Sequence, residues 1–497
     1  MRAHASVALR TTEALLSVSL LAAFFSVRDL PLVDLPQHAL QISGWMQLDA
    51  HDPASANLEL NFRTPYFLCY PLVRLLASVI PVLAALKLTL WLSITAQARA
   101  LRALCERLGH DPWLGLLGFP LGLGFGFYFG FVTFCAALPL VYLVVLFAVE
   151  HRAAPTWRSG VKLGALLTAL LVGHGIALGL SIAVLGPLLF WGESARWQRL
   201  APLLAPAVLG AVWLAPGRTA TRLGPDIWQI NAGRLLEVPA QLVGLGSADQ
   251  SATLLGMLLL VAVAGGMGAS RGLVLALPLV AVCASHALFP TLFRGVGMIQ
   301  PRFSAYVVPA MLVAFAPLAA QVGARRLRTR ALTLGVACAV VALFSYRARA
   351  FDREAAGFHE LVARLPSGLA IRPLIFERSG AAFPGVPAHL HLPAYYSVEK
   401  GGSPGYSFAM YSTSVVRFRP GAVIRMGSGQ EWVPETFDAA TEAADYDYFI
   451  VKSSTDRTAT LFSGSNVDVR LDQRVGDWWG YRRVSPALAL ALTGAGH

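Results

Sequence analysis

The sequence predicts an α-helical polytopic membrane protein of about eleven transmembrane helices, followed by a C-terminal mixed α/β extracytoplasmic domain. Three observations predict it. Apolar stretches run almost end to end across residues 12–346, and the chain is 56% hydrophobic and 14% charged, where a soluble domain carries about 25% charged residues. Basic residues cluster at every second gap between those stretches. From Arg347 onward charged residues, Gly and Ser return and the long apolar runs stop.

The basic clusters are Arg99, Arg102 and Arg107; Arg152, Arg158 and Lys162; Arg196 and Arg199; Arg271; and Arg325, Arg326, Arg328 and Arg330. Cytoplasmic loops carry such an excess of Lys and Arg. The pattern predicts a multi-pass protein of a bacterial-type inner (plasma) membrane, with a cytoplasmic N-terminus and the C-terminal domain on the other side. A net charge of +12 fits arginines facing anionic membrane lipids. No compact basic and aromatic module is present, so no nucleic-acid partner is expected. The five cysteines lie in or beside apolar segments without metal-site spacing and read as small buried hydrophobes.

A spanning helix needs roughly 20 apolar residues. The first covers residues 11–28 and reads as an uncleaved membrane helix, because Arg28-Asp29-Leu30-Pro31 follows it without a small-residue cleavage site. Residues 29–81 form a long outer loop punctuated by prolines; within it, 35–48 read as an amphipathic helix on the membrane and 66–80 as a second interfacial or half-inserted one. Further spans are expected at 82–98, 112–127, 131–149, 160–173, 176–191, 200–215, 252–270, 272–289, 303–323 and 331–346. The transmembrane domain is thus 1–346 and the α/β domain 347–497. In the latter, 358–365 read as a helix, and 369–376, 446–451, 467–471 and 480–484 as strands, being short, apolar and bounded by turn residues.

The topology puts the few acids and histidines of the first part on the outer face. Asp34, in Asp34-Leu35-Pro36-Gln37-His38, follows the first helix, with Asp29 five residues earlier. A carboxylate in a membrane-facing cleft acts as a general base if burial raises its pKa. It also suits a metal or a sugar hydroxyl, and equally the cap of a helix starting near Pro36. His38, four residues on, shares a helical face with Asp34; two such ligands are few for a metal. Arg294 and Arg302 flank the outer loop 295–301. A guanidinium recognises phosphate through two parallel hydrogen bonds, and it also snorkels to headgroups. His174 sits between Gly173 and Gly175 at an outer helix end, as a cleft-lining group or a structural one. The glycines of 124–130 read as close helix packing and not as a phosphate loop, since aromatics interrupt them and no strand precedes them. Asp477-Trp478-Trp479 and His389/His391 are either sugar-binding groups or core.

These features together resemble the GT-C superfamily of integral-membrane glycosyltransferases. The resemblance rests on Asp34 in DLPQHA after a first helix, on PYFLCYPLVRLLA leading to the second span, and on Pro301-Arg302-Phe303-Ser304 opening a late helix that ends in Pro309-Ala310-Met311-Leu312. It implies transfer of a sugar from a polyprenyl-phosphate-linked donor to an extracytoplasmic acceptor: an envelope glycan, a lipid or a protein. By position, Asp34 matches the family's catalytic acid, activating the acceptor or helping to bind a divalent metal ion, and Arg302 the basic residue near the lipid phosphate. Asp29 is a loose counterpart of the second acid that many members carry. The WWDxG motif of oligosaccharyltransferases is absent, which speaks against N-glycosylation of proteins. The rival classes are a transporter or flippase, disfavoured because no inverted repeat is visible, and a catalytically inactive GT-C-like scaffold.

Overall fold

The protein is described from a computed structural model covering residues 6–191, 196–214, 227–228, 230–293, 296–318 and 324–484. Arg294 lies outside the described residues, as do Arg218, Arg222 and Asp226 of the expected loop after the 200–215 helix. The chain divides into two compact units: Met1–Val27 with Asn61–Arg347, and Arg28–Leu60 with Ala348–His497. The sequence reading divided the chain at 346/347 and left 29–81 with the first part.

The first unit is helical. Among the described residues, three helices are long and apolar enough to cross a membrane: Val7–Phe25, Val132–Ala153 and Ala324–Ala363, the last running into the second unit. Gly175–Phe190, Gln250–Gly265 and Leu273–Leu288 are apolar but shorter. The helix Val82–Leu108 is longer than expected, at 27 residues. The count of eleven is therefore not reproduced.

Three expected spans differ for identifiable reasons. Residues 112–127 are not one helix: they form a 3-10 turn over Pro112–Leu117 and short pieces at Gly118–Gly122 and Phe125–Tyr128. Pro and Gly recur there too often for a regular helix. Of the expected span 303–323, Ser304–Ala314 is α-helical and Phe315–Pro317 then pairs antiparallel with Met267–Ser270, while 319–323 lie outside the described residues. The separate helices expected at 331–346 and 358–365 are one 40-residue helix. The charged stretch Arg347-Ala348-Arg349-Ala350 ends the apolar run, but Ala and Arg are strong helix formers. The pair at 160–191 is present as Trp157–Gly173 and Gly175–Phe190, broken at His174.

The basic clusters are linked to one another within this unit. Glu13 of the first helix receives Arg99 at 3.1 Å and also pairs with Arg102. Asp111 receives Arg326 at 3.0 Å and Arg330 at 2.7 Å. Arg107 pairs with Glu150, and Arg271 donates to the carbonyl oxygen of Leu108 at 2.6 Å. Arg152 and Arg199 both donate to the carbonyl oxygen of Trp191, at 2.8 and 3.0 Å. Arg271, Arg326 and Arg330 thus find partners just beyond the Arg99–Arg107 cluster, far earlier in the chain, as loops on one side of a bundle do.

The broken segment packs tightly on the helix Val82–Leu108. A Cβ on Gly118 would stand 2.3 Å from the Ala98 Cα, and one on Gly115 would stand 2.5 Å from the Arg102 Cβ. Small residues allow this backbone approach, which drives helix association where lipid is the solvent.

The second unit carries a five-stranded mixed sheet. With β1 Ala370–Ile375, β2 Ser403–Pro404, β3 Tyr448–Lys452, β4 Val469–Val475 and β5 Trp478–Arg483, the order is β4-β5-β3-β1-β2. β1 pairs parallel with β2 and β3, while β5 pairs antiparallel with β3 and β4. Pro373 is tolerated within β1 because β2 pairs only with Ala370 and Ile371. Leu374, Tyr446, Phe449, Val451, Trp479 and Tyr481 form the core on one side. Trp478 and Trp479, candidate sugar platforms in sequence, are buried, and the Trp479 indole donates to the Ser453 carbonyl oxygen at 2.8 Å. The segment 28–60 joins this unit by strand pairing: Leu58–Leu60 runs antiparallel to Val416–Phe418.

Gly118→Val is expected to cost about 1–3 kcal/mol through backbone overpacking. Gly179→Ala, whose Cβ would meet nothing within 4 Å, should leave stability unchanged or slightly raised. Thermal unfolding of the two purified variants in one detergent checks the contrast.

Candidate active site

The chain leaves the first helix and immediately becomes part of the second unit. The backbone N–H groups of Arg28 and Asp29 both donate to Asp352 Oδ1 at 2.8 Å. Arg28 pairs with Glu399 at 2.6 Å. Asp29 is 1% exposed, and its carboxylate accepts from His359 Nε2. Leu30, Leu32, Val33 and Leu35 are buried around it. Two aspartates five residues apart are thereby fixed in a stretch with no regular structure of its own.

Asp34 stands at the N-cap position of the helix Leu35–Asp49, with Pro36 in its first turn. Its side chain makes no capping hydrogen bond. The carboxylate, 6% exposed, stands beside an imidazole from far along the chain: Asp34 Oδ1 is 3.2 Å from His391 Nδ1. His38 lies edge-on to Phe408, with ring centroids 5.9 Å apart. The helix was expected to lie on the membrane; its buried side, with Gln37, His38, Gln41 and Ile42, packs inside this unit. Gln37 bridges the backbone of the 406–408 loop, donating to the Tyr406 carbonyl oxygen at 3.3 Å and accepting from the Phe408 N–H at 3.1 Å. Gln41 accepts from the Val416 N–H at 2.9 Å.

His391 lines a small cleft together with Gln37, Leu390, Tyr406 and Glu431 among others. His391 stacks on Tyr406, the ring centroids 5.2 Å apart and the planes 17° from parallel. The Tyr406 hydroxyl meets that of Tyr411 at 2.8 Å. Burial pushes the Glu431 carboxyl above its ordinary range, against the pull of backbone N–H groups and the nearby His391. His389, two residues from His391, belongs to the packing instead: it stacks on Phe351, and burial pushes its imidazole down to about 4.

Arg302 belongs to the first unit. It lies in the 3-10 turn Gln300–Phe303, where Nε donates to the Met298 carbonyl oxygen at 3.1 Å and Nη2 to that of Gly297 at 3.2 Å. Its guanidinium sits 3.9 Å from the Phe131 ring centroid, close enough for a cation–π contact. It lines a small cleft with Gly122, Gly124, Phe134, Gln241 and Ser304. His174 has extended backbone between two helices, and its Nδ1 accepts from the Ala177 N–H at 3.0 Å, capping the second helix. Its ring meets Tyr66 and Phe134 edge-on.

Among the described residues, no group of three or more His, Cys, Asp or Glu side chains is arranged to hold a metal ion. The pairs Asp34–His391 and Asp29–His359 each supply two donors, short of a divalent site.

The sequence reading singled out Asp34, Asp29 and His391 without joining Asp34 to His391, and it missed His359, Asp352 and Glu431. His391 carried one signal, its place in the polar pair His389/His391. His359 and Glu431 carried none.

At the level of the fold, the resemblance read from the sequence is borne out by two solved structures. ArnT from Cupriavidus metallidurans, solved bound to undecaprenyl phosphate, is 12% identical with a TM-score of 0.55, over 97% of this chain and 99% of that one. The arabinofuranosyltransferase AftD from Mycobacteria is 16% identical with a TM-score of 0.50, over 96% of this chain and 40% of that one. No protein-family model and no curated protein matches the sequence.

Asp29→Leu leaves His359 Nε2 without its acceptor and is expected to destabilise the protein by about 1–3 kcal/mol. Asp34→Asn should leave the melting temperature within a degree or two of wild type, since the Asp34 side chain caps no helix. Parallel melts of the two variants separate a structural acid from a functional one.

Proposed function

We propose that the protein is a membrane glycosyltransferase that moves a sugar from a polyprenyl-phosphate donor to an extracytoplasmic hydroxyl of an envelope glycan, lipid or protein. The observation that carries the reading is Asp34: a buried carboxylate that heads a helix without capping it and stands 3.2 Å from an imidazole. The GT-C fold supports it, as does the undecaprenyl phosphate bound by one of the two solved structures that share the fold. The fold alone does not fix function, so the chemistry is assigned to residues.

In this reading Asp34 is the general base. It takes the proton of the acceptor hydroxyl as that oxygen bonds to the anomeric carbon. The bond from that carbon to the lipid phosphate breaks, and the electron pair leaves with the phosphate. One displacement inverts the anomeric centre. Arg302 is the cation for the phosphate, because charge that develops on a leaving group is stabilised best by a preorganised donor. Its hydrogen bonds to Met298 and Gly297 and its seat on Phe131 hold the guanidinium in one orientation. Asp29 supports the loop through His359 and Asp352. His38, His174 and Arg294 remain proposed substrate contacts, with His174 already engaged as a helix cap. No step depends on a metal. The membrane is proposed to be the inner (plasma) membrane, with the N-terminus cytoplasmic and the second unit outside.

The test is transfer in native membranes supplied with labelled polyprenyl-phosphate sugars. Wild type should yield a new labelled product. Asp34→Asn should lower kcat by about 100-fold or more, and Arg302→Gln should cut it by about 100-fold. A wild type that is folded and abundant yet moves no label from any donor, or Asp34→Asn with full activity, would overturn the assignment.

A further inference from the structure

We infer that His391 relays the proton taken up by Asp34, and that Glu431, lining the same cleft, holds the charge this creates. The inference rests on Asp34 being the base and extends it to where the proton goes next.

A base that has taken a proton must lose it before the next turnover. Asp34 is 6% exposed and is not among the residues that line the cleft, whereas His391, itself 5% exposed, does line it, so the way out for the proton runs through the imidazole. The imidazole of His391 is placed to take the proton on, with Nδ1 3.2 Å from Asp34 Oδ1. Histidine is the side chain whose ordinary pKa suits such shuttling. Neither ring nitrogen makes a well-aligned hydrogen bond among the described residues, and Glu431 Oε2 has no partner there either. Buried polar atoms left in this state are rare in folded proteins and call for an explanation. Catalytic hydrogen bonds are often loose without substrate and tighten once it binds.

The groups facing the imidazole set its charge. They are Asp34 on one side, Glu431 across the cleft, Tyr406 stacked on the ring and Tyr411 behind Tyr406. Burial holds both tyrosines protonated, so the two carboxyls are the acidic groups that face the ring. The proton balance is complete within the chain and solvent. The acceptor hydroxyl proton goes to Asp34, then to His391 Nδ1, forming an imidazolium. Glu431 stabilises that cation as a carboxylate, and the imidazolium gives a proton to solvent through the cleft. Asp34 returns to the carboxylate.

A merely structural His391 and a relay differ in the pH profile of kcat. A relay must be neutral to receive the proton, so the wild-type rate should fall on the acid side of its pH profile. His391→Gln, assayed as the full chain in native membranes, should lower kcat by about 10-fold or more at neutral pH and remove that acid limb, with the KM for donor unchanged. Glu431→Gln removes the carboxylate facing the imidazolium, so the acid limb should move to lower pH. A His391→Gln profile parallel to wild type overturns the relay and leaves Asp34 as the base. Should His391→Gln fail to fold, the acid limb of Glu431→Gln decides, and an unmoved limb overturns the proposal. Absence of transfer by wild type at every pH overturns the transferase reading and the relay with it.

Discussion

The second unit depends on its capture of a stretch of chain from the other end of the sequence. Two backbone N–H groups, of Arg28 and Asp29, converge on the single oxygen Asp352 Oδ1, and the Asp29 carboxylate meets His359. Asp352 and His359 lie seven residues apart on one helix, about two turns, so both face the incoming chain. A hydrogen bond to a charged group is stronger than a neutral one, and here both backbone donors reach a carboxylate. Asp34 is five residues beyond this anchor. Its position follows from the anchor and from the rigid helix that it heads.

The gross architecture was legible because hydrophobicity and charge are properties of long windows. The apolar run that ends at Tyr346 and the recurring arginines needed no knowledge of contacts. The α/β character after residue 347 was equally plain, and the sequence located four of the five sheet strands within a few residues, at 369–376, 446–451, 467–471 and 480–484. The missed strand, Ser403–Pro404, has two residues and no apolar alternation to betray it. Helix boundaries were less legible. Charge ends a membrane span but does not end a helix, which is why one 40-residue helix was read as two. Residues 112–127 are apolar enough to span, but close packing on Ala98 and Arg102 requires glycine at 115 and 118, and glycine and proline together break the helix.

The site was half legible for a similar reason. Asp34 stands out because acids are scarce in the first part of the chain. Its partner does not, because the spacing between Asp34 and His391 obeys no local period. Motif reading connects residues that share a turn or a helical face, and it connected Asp34 to His38. The sheet order and the pairing of Leu58–Leu60 with Val416–Phe418 bring the real neighbour in, and neither can be read from one sequence.

The discontinuity of the second unit also sets an order of events during synthesis. Residues 28–60 are made early, but Asp352, His359, His391 and the strand Val416–Phe418 come some three hundred residues or more later. Contacts of such sequence separation form slowly, because closing the loop costs entropy before any contact repays it. The ribosome adds about 5–20 residues per second, so the loop with Asp34 waits for tens of seconds without the chain that orders it. Its buried apolar residues Leu30, Leu32, Val33 and Leu35 are a liability in that interval, exposed until the last third of the protein emerges. Maturation of the acid is therefore coupled to completion of the chain, and a truncated product would carry Asp34 with none of its surroundings.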